Sequence, residues 1–141
     1  MTWNAIGWIT VALFLKMWFV TLVQGYIRLT TKQFVLPEDA EFFGDGNAHP
    51  KEHPTVERAT RTLRNDLENI PMFLFLLWSY AQLQCWSLGV WIYGGVFVLS
   101  RCIHTFAYLK PRQPLRNRAY IVGVLVCLIL SGHILFNSFS G

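Results

Sequence analysis

The sequence predicts an all-α integral membrane protein: one four-helix bundle subunit, a single domain over residues 1–141. Three observations carry this. Hydrophobic residues make up 53% of the chain and charged residues 14%, against roughly 25% charged in ordinary soluble domains. Four segments approach the ~20 apolar residues that a bilayer crossing needs. The lysines and arginines gather in two windows, Arg28–Arg64 and Arg101–Arg118, instead of being spread along the chain.

The first expected span is 3–27. It lacks a basic start, is too long for the apolar core of a signal peptide and carries Lys16 in its middle, so it reads as a retained helix. A polar stretch follows, rich in proline, glycine and acids, and is expected to form a cytoplasmic loop over 28–56. The second span, 57–83, opens with Glu57-Arg58-Ala59-Thr60-Arg61-Thr62-Leu63-Arg64-Asn65-Asp66-Leu67-Glu68 before turning apolar. The third, 87–109, contains Gly94-Gly95, which suits close helix packing in lipid. The fourth, 119–137, begins with an uncharged run from Ala119 to Leu130.

Of twelve lysines and arginines, six lie between Arg28 and Arg64 and five between Arg101 and Arg118. Those windows are the first and third connections, on one side of a four-span protein. The positive-inside rule makes that side cytoplasmic and both termini non-cytoplasmic. The neutral second connection is surrounded by Trp78, Tyr80, Trp86, Trp91 and Tyr93, as an interfacial aromatic belt would be. All eight acids lie between Glu38 and Glu68. The basic residues of the second half therefore need partners from elsewhere, and the surplus of +4 suits anionic lipid headgroups better than nucleic acid.

Charges inside a membrane-length helix are costly and mark functional positions. On a helix turning ~100° per residue, Glu57, Arg61, Arg64 and Glu68 share one stripe, with Asn65 at its edge. Glu57–Arg61 and Arg64–Glu68 are i,i+4 pairs, so a plain salt-bridge ladder explains part of the stripe. The rest offers guanidinium forks, a carboxamide and a carboxylate, a set suited to a zwitterionic ligand bearing carboxylates. Arg101, His104 and Tyr108 likewise share a face of the third span at the same membrane level. Asp66 points away from the ladder and is matched by depth to Lys16, giving an expected structural ion pair.

Other features read blandly. Cys85, Cys102 and Cys127 have no adjacent base and form no disulfide framework. His49-Pro50-Lys51-Glu52-His53 fits a zinc-peptidase pattern, but prolines bracket it in a loop, where two imidazoles cannot share a helix face. No metal is expected.

The motifs Val56-Glu57-Arg58 with Arg61, Arg64-Asn65-Asp66 and Glu68, then Arg101-x-x-His104-Thr105-x-Ala107-Tyr108-Leu109, then Pro114-Leu115-Arg116, and Arg28-Leu29 with Pro37-Glu38-Asp39-Ala40 resemble the membrane-associated proteins in eicosanoid and glutathione metabolism (MAPEG). The resemblance runs from about Lys16 to Tyr120. It lies with the microsomal glutathione transferase and prostaglandin E synthase branch. It implies a homotrimer with glutathione bound between neighbouring subunits near the cytoplasmic face. By position, the glutathione contacts would be Arg28, Arg61, Arg64, Asn65, Glu68, His104, Tyr108 and Arg116. Arg116 would stabilise the thiolate as the catalytic residue, and Asn117 is taken as a pocket residue. Two departures stand out: Leu63 where that branch usually has histidine, and Asn117 where prostaglandin E synthases carry serine.

The expected function is therefore a membrane glutathione transferase acting on lipophilic electrophiles, in detoxification, with glutathione peroxidase activity toward lipid hydroperoxides as an extension. Glutathione is its only expected cofactor or co-substrate, and membrane lipid its surroundings. The alternatives are a glutathione-dependent isomerase of prostaglandin E synthase type and a non-catalytic lipid-binding scaffold. The brevity of the chain leans toward a bacterial inner membrane over a eukaryotic endomembrane.

Overall fold

The computed structural model describes residues 2–140. Helix α1 covers Thr2–Thr31, α2 Pro37–Phe43, α3 Pro54–Gln82, α4 Ser87–Leu109 and α5 Gln113–Ser140. No strand occurs among the described residues. Four long helices make the bundle, and the short α2 lies in the first connection.

Local chemistry sets most of the helix ends. Lys32 adopts φ 56°, in the left-handed region, and the chain leaves the helical path there. Pro37 and Pro54 occupy the first turns of α2 and α3, where proline's missing N–H costs nothing. The His53 Nδ1 accepts the Thr55 N–H at 3.2 Å and caps α3. At Gly44 a Cβ would meet the Ala40 carbonyl oxygen at 2.7 Å, so the backbone passes too close for a side chain.

The helices run further than the sequence suggests. α1 continues beyond residue 27 to Thr31, and α5 starts at Gln113 instead of near 119. Arg116 and Arg118 thus belong to the opening turns of α5, because long cationic side chains can reach the interface from inside a helix. By length and apolarity, α1, α4 and α5 qualify to cross a membrane among the described residues. α3 does not, because its N-terminal half is charged. Its 29 residues extend ~43 Å at 1.5 Å per residue, well beyond a ~30 Å hydrocarbon core. Part of its charged half can therefore stand outside the hydrocarbon.

α3 packs against α1, α4 and α5, and α4 packs against α1 and α5. The seam is built from fully buried Leu13, Phe73, Leu77 and Val90, with Phe97 and Leu130 beside them. Phe73 and Phe97 stack with centroids 3.8 Å apart and planes at 6°. Gly94 lets α1 approach α4: a Cβ there would lie 2.0 Å from Ile9 Cδ1. The opposite surface is apolar outward. Phe14, Trp18, Phe19 and Leu22 on α1, and Leu125, Leu128 and Ile129 on α5, are exposed, as lipid-facing residues should be. The neutral end of the bundle is tied by polar contacts. His133 Nδ1 lies 3.2 Å from the Tyr93 hydroxyl and 3.4 Å from that of Tyr80, joining α3, α4 and α5. Asn137 donates to the Leu83 carbonyl at 3.1 Å.

The expected Lys16–Asp66 pair forms, with Lys16 Nζ donating to Asp66 Oδ2. It is not an isolated pair. Arg101 donates to Asp66 Oδ1 through Nε at 3.1 Å and through Nη2 at 2.7 Å. Asp66 is fully buried and Arg101 is 1% exposed. One carboxylate thus binds two cations from two other helices. This corrects the grouping of Arg101 with a ligand-facing stripe, since its charge is spent on the bundle interior.

The sharing sets an order of tolerance. Lys16→Leu leaves Asp66 paired with Arg101 and should be mild. Asp66→Asn strands two buried cations and should cost about 3–5 kcal/mol. Adding Lys16→Leu to Asp66→Asn should recover only part of that loss, because Arg101 stays unpaired. Thermal unfolding in detergent ranks the three variants, and a Lys16→Leu protein weaker than Asp66→Asn would contradict the shared-carboxylate account.

Candidate functional site

The predicted site residues fall into three groups at the basic end of the bundle. The first is the outward stripe of α3. Arg61 Nη2 lies 2.5 Å from Glu57 Oε1, and Arg64 Nε lies 3.5 Å from Glu68 Oε1. These side chains are largely exposed, Arg64 by 84%. Such pairs are weak in solvent and exchange readily for a ligand. Asn65 sits between stripe and core. Its Oδ1 accepts from Arg101 at 2.6 Å, which leaves its side-chain N–H groups as the part free for a ligand.

The second group joins α4 to the start of α5. The Arg116 guanidinium lies 4.5 Å above the Tyr108 ring, a cation–π contact. Tyr108 in turn makes an edge contact with His104 at 5.6 Å, and Tyr120 lies 6.5 Å from the same imidazole. His104 is 3% exposed, and its Nδ1 has no hydrogen-bond partner among the described residues. A buried polar atom without a partner calls for an explanation, and a ligand or water at this point is the usual one. Arg116 has no acidic partner among the described residues, and the first turn of α5 carries no acid. Its charge therefore adds to the positive end of the helix dipole.

The third group is Arg28 at the end of α1, whose Nη2 lies 2.5 Å from Glu52 Oε1. Gln24 Nε2 donates to Thr60 Oγ1 at 3.0 Å beside it, tying α1 to α3. Glu52 and His53 of the zinc-peptidase-like pattern thus hold Arg28 and cap α3, and that stretch is not helical. Asn117 is exposed at the start of α5, and Leu63 is half-buried on α3.

Among the described residues no hydrogen bond, ion pair or ring contact joins the Arg64–Glu68 stripe directly to the Tyr108–Arg116 group. Asn65 and Arg101 link α3 to α4 beneath them. Tyr120 was not singled out from sequence, although its i,i+4 spacing from Arg116 was a usable signal. Cys85 is buried, and burial pushes its thiol pKa up, away from reactivity. Cys102 is exposed and Cys127 half-buried.

A family model described as the MAPEG family matches residues 6–136. The prostaglandin E synthase of Homo sapiens is 39% identical over 127 residues, covering 89% of this chain and 83% of that protein. The microsomal glutathione S-transferase 1 of Rattus norvegicus is 39% identical over 124 residues, covering 85% and 80%. The prostaglandin E synthase of Bos taurus is similar at the same identity, covering 89% and 82%.

The geometry separates arginines that hold the fold from arginines that face outward. Arg61→Ala and Arg64→Ala should each change stability by less than about 0.5 kcal/mol. Arg101→Ala, which leaves Asp66 Oδ1 without both of its donors, should cost at least about 3 kcal/mol. Unfolding of the three purified variants in one detergent checks the contrast, which a large loss at Arg64 would abolish.

Proposed function

The chain belongs to the MAPEG family, and from that membership we propose that it is a membrane-bound glutathione transferase. The observation that carries the reading is Arg116, which has no acid partner among the described residues and is held over Tyr108, next to His104, whose Nδ1 has no hydrogen-bond partner among them. A thiol has an ordinary pKa near 8.5, and a nearby cation lowers it and enlarges the thiolate fraction. Arg116 would stabilise the glutathione thiolate, and the positive end of α5 would assist. Arg64, Arg61, the Asn65 amide and Glu68 would hold the carboxylates and ammonium of the peptide, with Arg28, His104 and Tyr108 completing the cradle. The chain then contributes positioning and electrostatic stabilisation, and no protein nucleophile is required.

The thiolate would attack a lipophilic electrophile that reaches it through the bilayer. Lipid hydroperoxides are a second acceptor class, giving glutathione peroxidase activity. We also propose a homotrimer, with each glutathione held between neighbouring copies. Its support is that the outward Arg64–Glu68 stripe makes no direct contact with the Arg116 group of its own chain. The charge map supports a cytoplasmic basic end with both termini on the other side. The relatives named above are mammalian and lend no support to a bacterial inner membrane.

A second reading, a glutathione-dependent isomerase, is favoured by the relatives named prostaglandin E synthase at the same identity. Asn117 in place of that branch's serine speaks for the transferase.

The test is turnover of chlorodinitrobenzene by protein purified in detergent, with glutathione binding and thiolate absorbance measured alongside. Arg116→Ala should lower kcat about a hundredfold while glutathione still binds. Arg64→Ala should raise the KM for glutathione about tenfold with kcat little changed. No glutathione binding by the wild type would defeat the proposal. Binding without conjugation, but with isomerisation of an endoperoxide, would move the assignment to the isomerase. Binding with neither activity would leave the scaffold.

A further inference from the structure

A groove of about 400 Å³ runs between α1 and α4 at the basic end. Phe19, Cys102, Phe106 and Leu109 give it apolar walls. Lys16 at its floor is already committed to Asp66. Two features are not explained by packing within the chain. Thr105 lines the groove, is 5% exposed, and its buried Oγ1 has no hydrogen-bond partner among the described residues. A helical threonine normally bonds a carbonyl in the preceding turn, as Thr60 and Thr62 do here. At the mouth, Lys110 Nζ and the Arg112 guanidinium lie 5.1 and 5.7 Å from the centroid of the Phe106 ring. Neither cation has an acidic partner among the described residues, and no acid follows Glu68 in the chain.

We infer that this groove binds one ester-linked anionic phospholipid of the leaflet at the basic end. The cation pair at the mouth takes the phosphate, and the apolar walls take one acyl chain. Thr105 precedes Lys110 by five residues, which places it about 7.5 Å deeper along the helix axis. An ester carbonyl stands a few covalent bonds below the phosphate in a glycerophospholipid, so it can accept the Thr105 hydroxyl proton once a χ1 turn brings the buried Oγ1 to the groove. A free fatty acid offers a carboxylate to the mouth but no second acceptor at that depth. A zwitterionic lipid offers the carbonyl but sets an ammonium against Lys110 and Arg112. The inference does not rest on glutathione chemistry, and none of the three polar residues belongs to the proposed glutathione cradle.

The test is native mass spectrometry of the intact protein released from detergent, with four lipids added singly. They are dioleoyl phosphatidylglycerol, dioleoyl phosphatidylcholine, ether-linked phosphatidylglycerol and oleate. Phosphatidylglycerol should be retained about tenfold more tightly than phosphatidylcholine, and the Lys110→Ala/Arg112→Ala variant should lose that preference. The ether-linked lipid, which lacks the carbonyl, should bind the wild type about fivefold more weakly than the ester. Thr105→Val should weaken the ester lipid to the same degree and leave the ether lipid unchanged, while Thr105→Ser restores the ester preference. Equal retention of the two headgroups, of ester and ether lipids, or of oleate and phosphatidylglycerol by the wild type would each overturn the inference. Those arms need no variant, so a misfolded mutant cannot mask the result.

Discussion

The bundle is organised around one carboxylate. Asp66 on α3 receives Lys16 from α1 and Arg101 from α4, and Arg101 also donates to Asn65. Three helices are thereby fixed in rotation and in height, which apolar packing alone does not do in lipid, where tails and leucines are equally apolar. The cluster is also asymmetric. Two cations share one anion, so a buried excess of positive charge sits directly under the site residues of α3 and α4. A cluster of this kind contributes little net stability compared with apolar packing, but removal of its anion is severe. Its service is to hold registration: Asn65 is pinned at the boundary between the structural cluster below and the outward stripe beside it.

Much of this was legible in the sequence. Lys16 and Asp66 could be matched because each is a charge at similar depth with no exposed alternative. The i,i+4 pairs Glu57–Arg61 and Arg64–Glu68 follow from helical periodicity, and both form. Arg101 was harder. Periodicity correctly put Arg101, His104 and Tyr108 on one face of α4, and that face does look inward. What periodicity does not report is whether an inward face meets a partner helix or a ligand. The answer differs within one turn: Arg101 is used by Asp66, whereas His104 keeps an unpartnered nitrogen. His133, which ties the neutral end to Tyr80 and Tyr93, was illegible for a related reason. Its partners are 53 and 40 residues away, and a lone histidine in an apolar helix carries no local signal of them.

The helix ends show the same division. The expected loop over 28–56 missed α2 and the first turn of α3, although Pro37, Pro54 and the His53 cap mark both starts. The sequence places Arg116 and Asn117 at the opening of the last helix, ahead of the apolar run from 119, and α5 extends one turn further back to Gln113. Once Arg116 and Arg118 are helical, their positions matter more than their charge. Arg116 lies one turn before Tyr120 and packs over Tyr108, so the opening of α5 is bent to the service of α4. A loop at residues 113–118 would leave this guanidinium without a fixed direction. The departure from the expected boundary and the geometry of the candidate site are therefore one fact.

The distribution of acids completes the logic. All eight lie between Glu38 and Glu68. Asp66, Glu52, Glu57 and Glu68 are bound to basic residues at or before Arg64, and among the described residues Arg101 is the one cation of the second half to gain a carboxylate. Lys110, Arg112, Arg116 and Arg118 have none among the described residues. In the absence of acids, aromatic faces direct two of these groups: Phe106 gathers Lys110 and Arg112, and Tyr108 holds Arg116. A cation held by a ring is oriented without being neutralised, whereas a salt bridge would cancel its field. The chain thus keeps two oriented, unneutralised positive centres at one membrane level, one turned to the α4–α5 site and one to the α1–α4 groove. A surplus of +4 says only that positive charge remains; the placement of aromatics decides where it is presented and to what kind of anion.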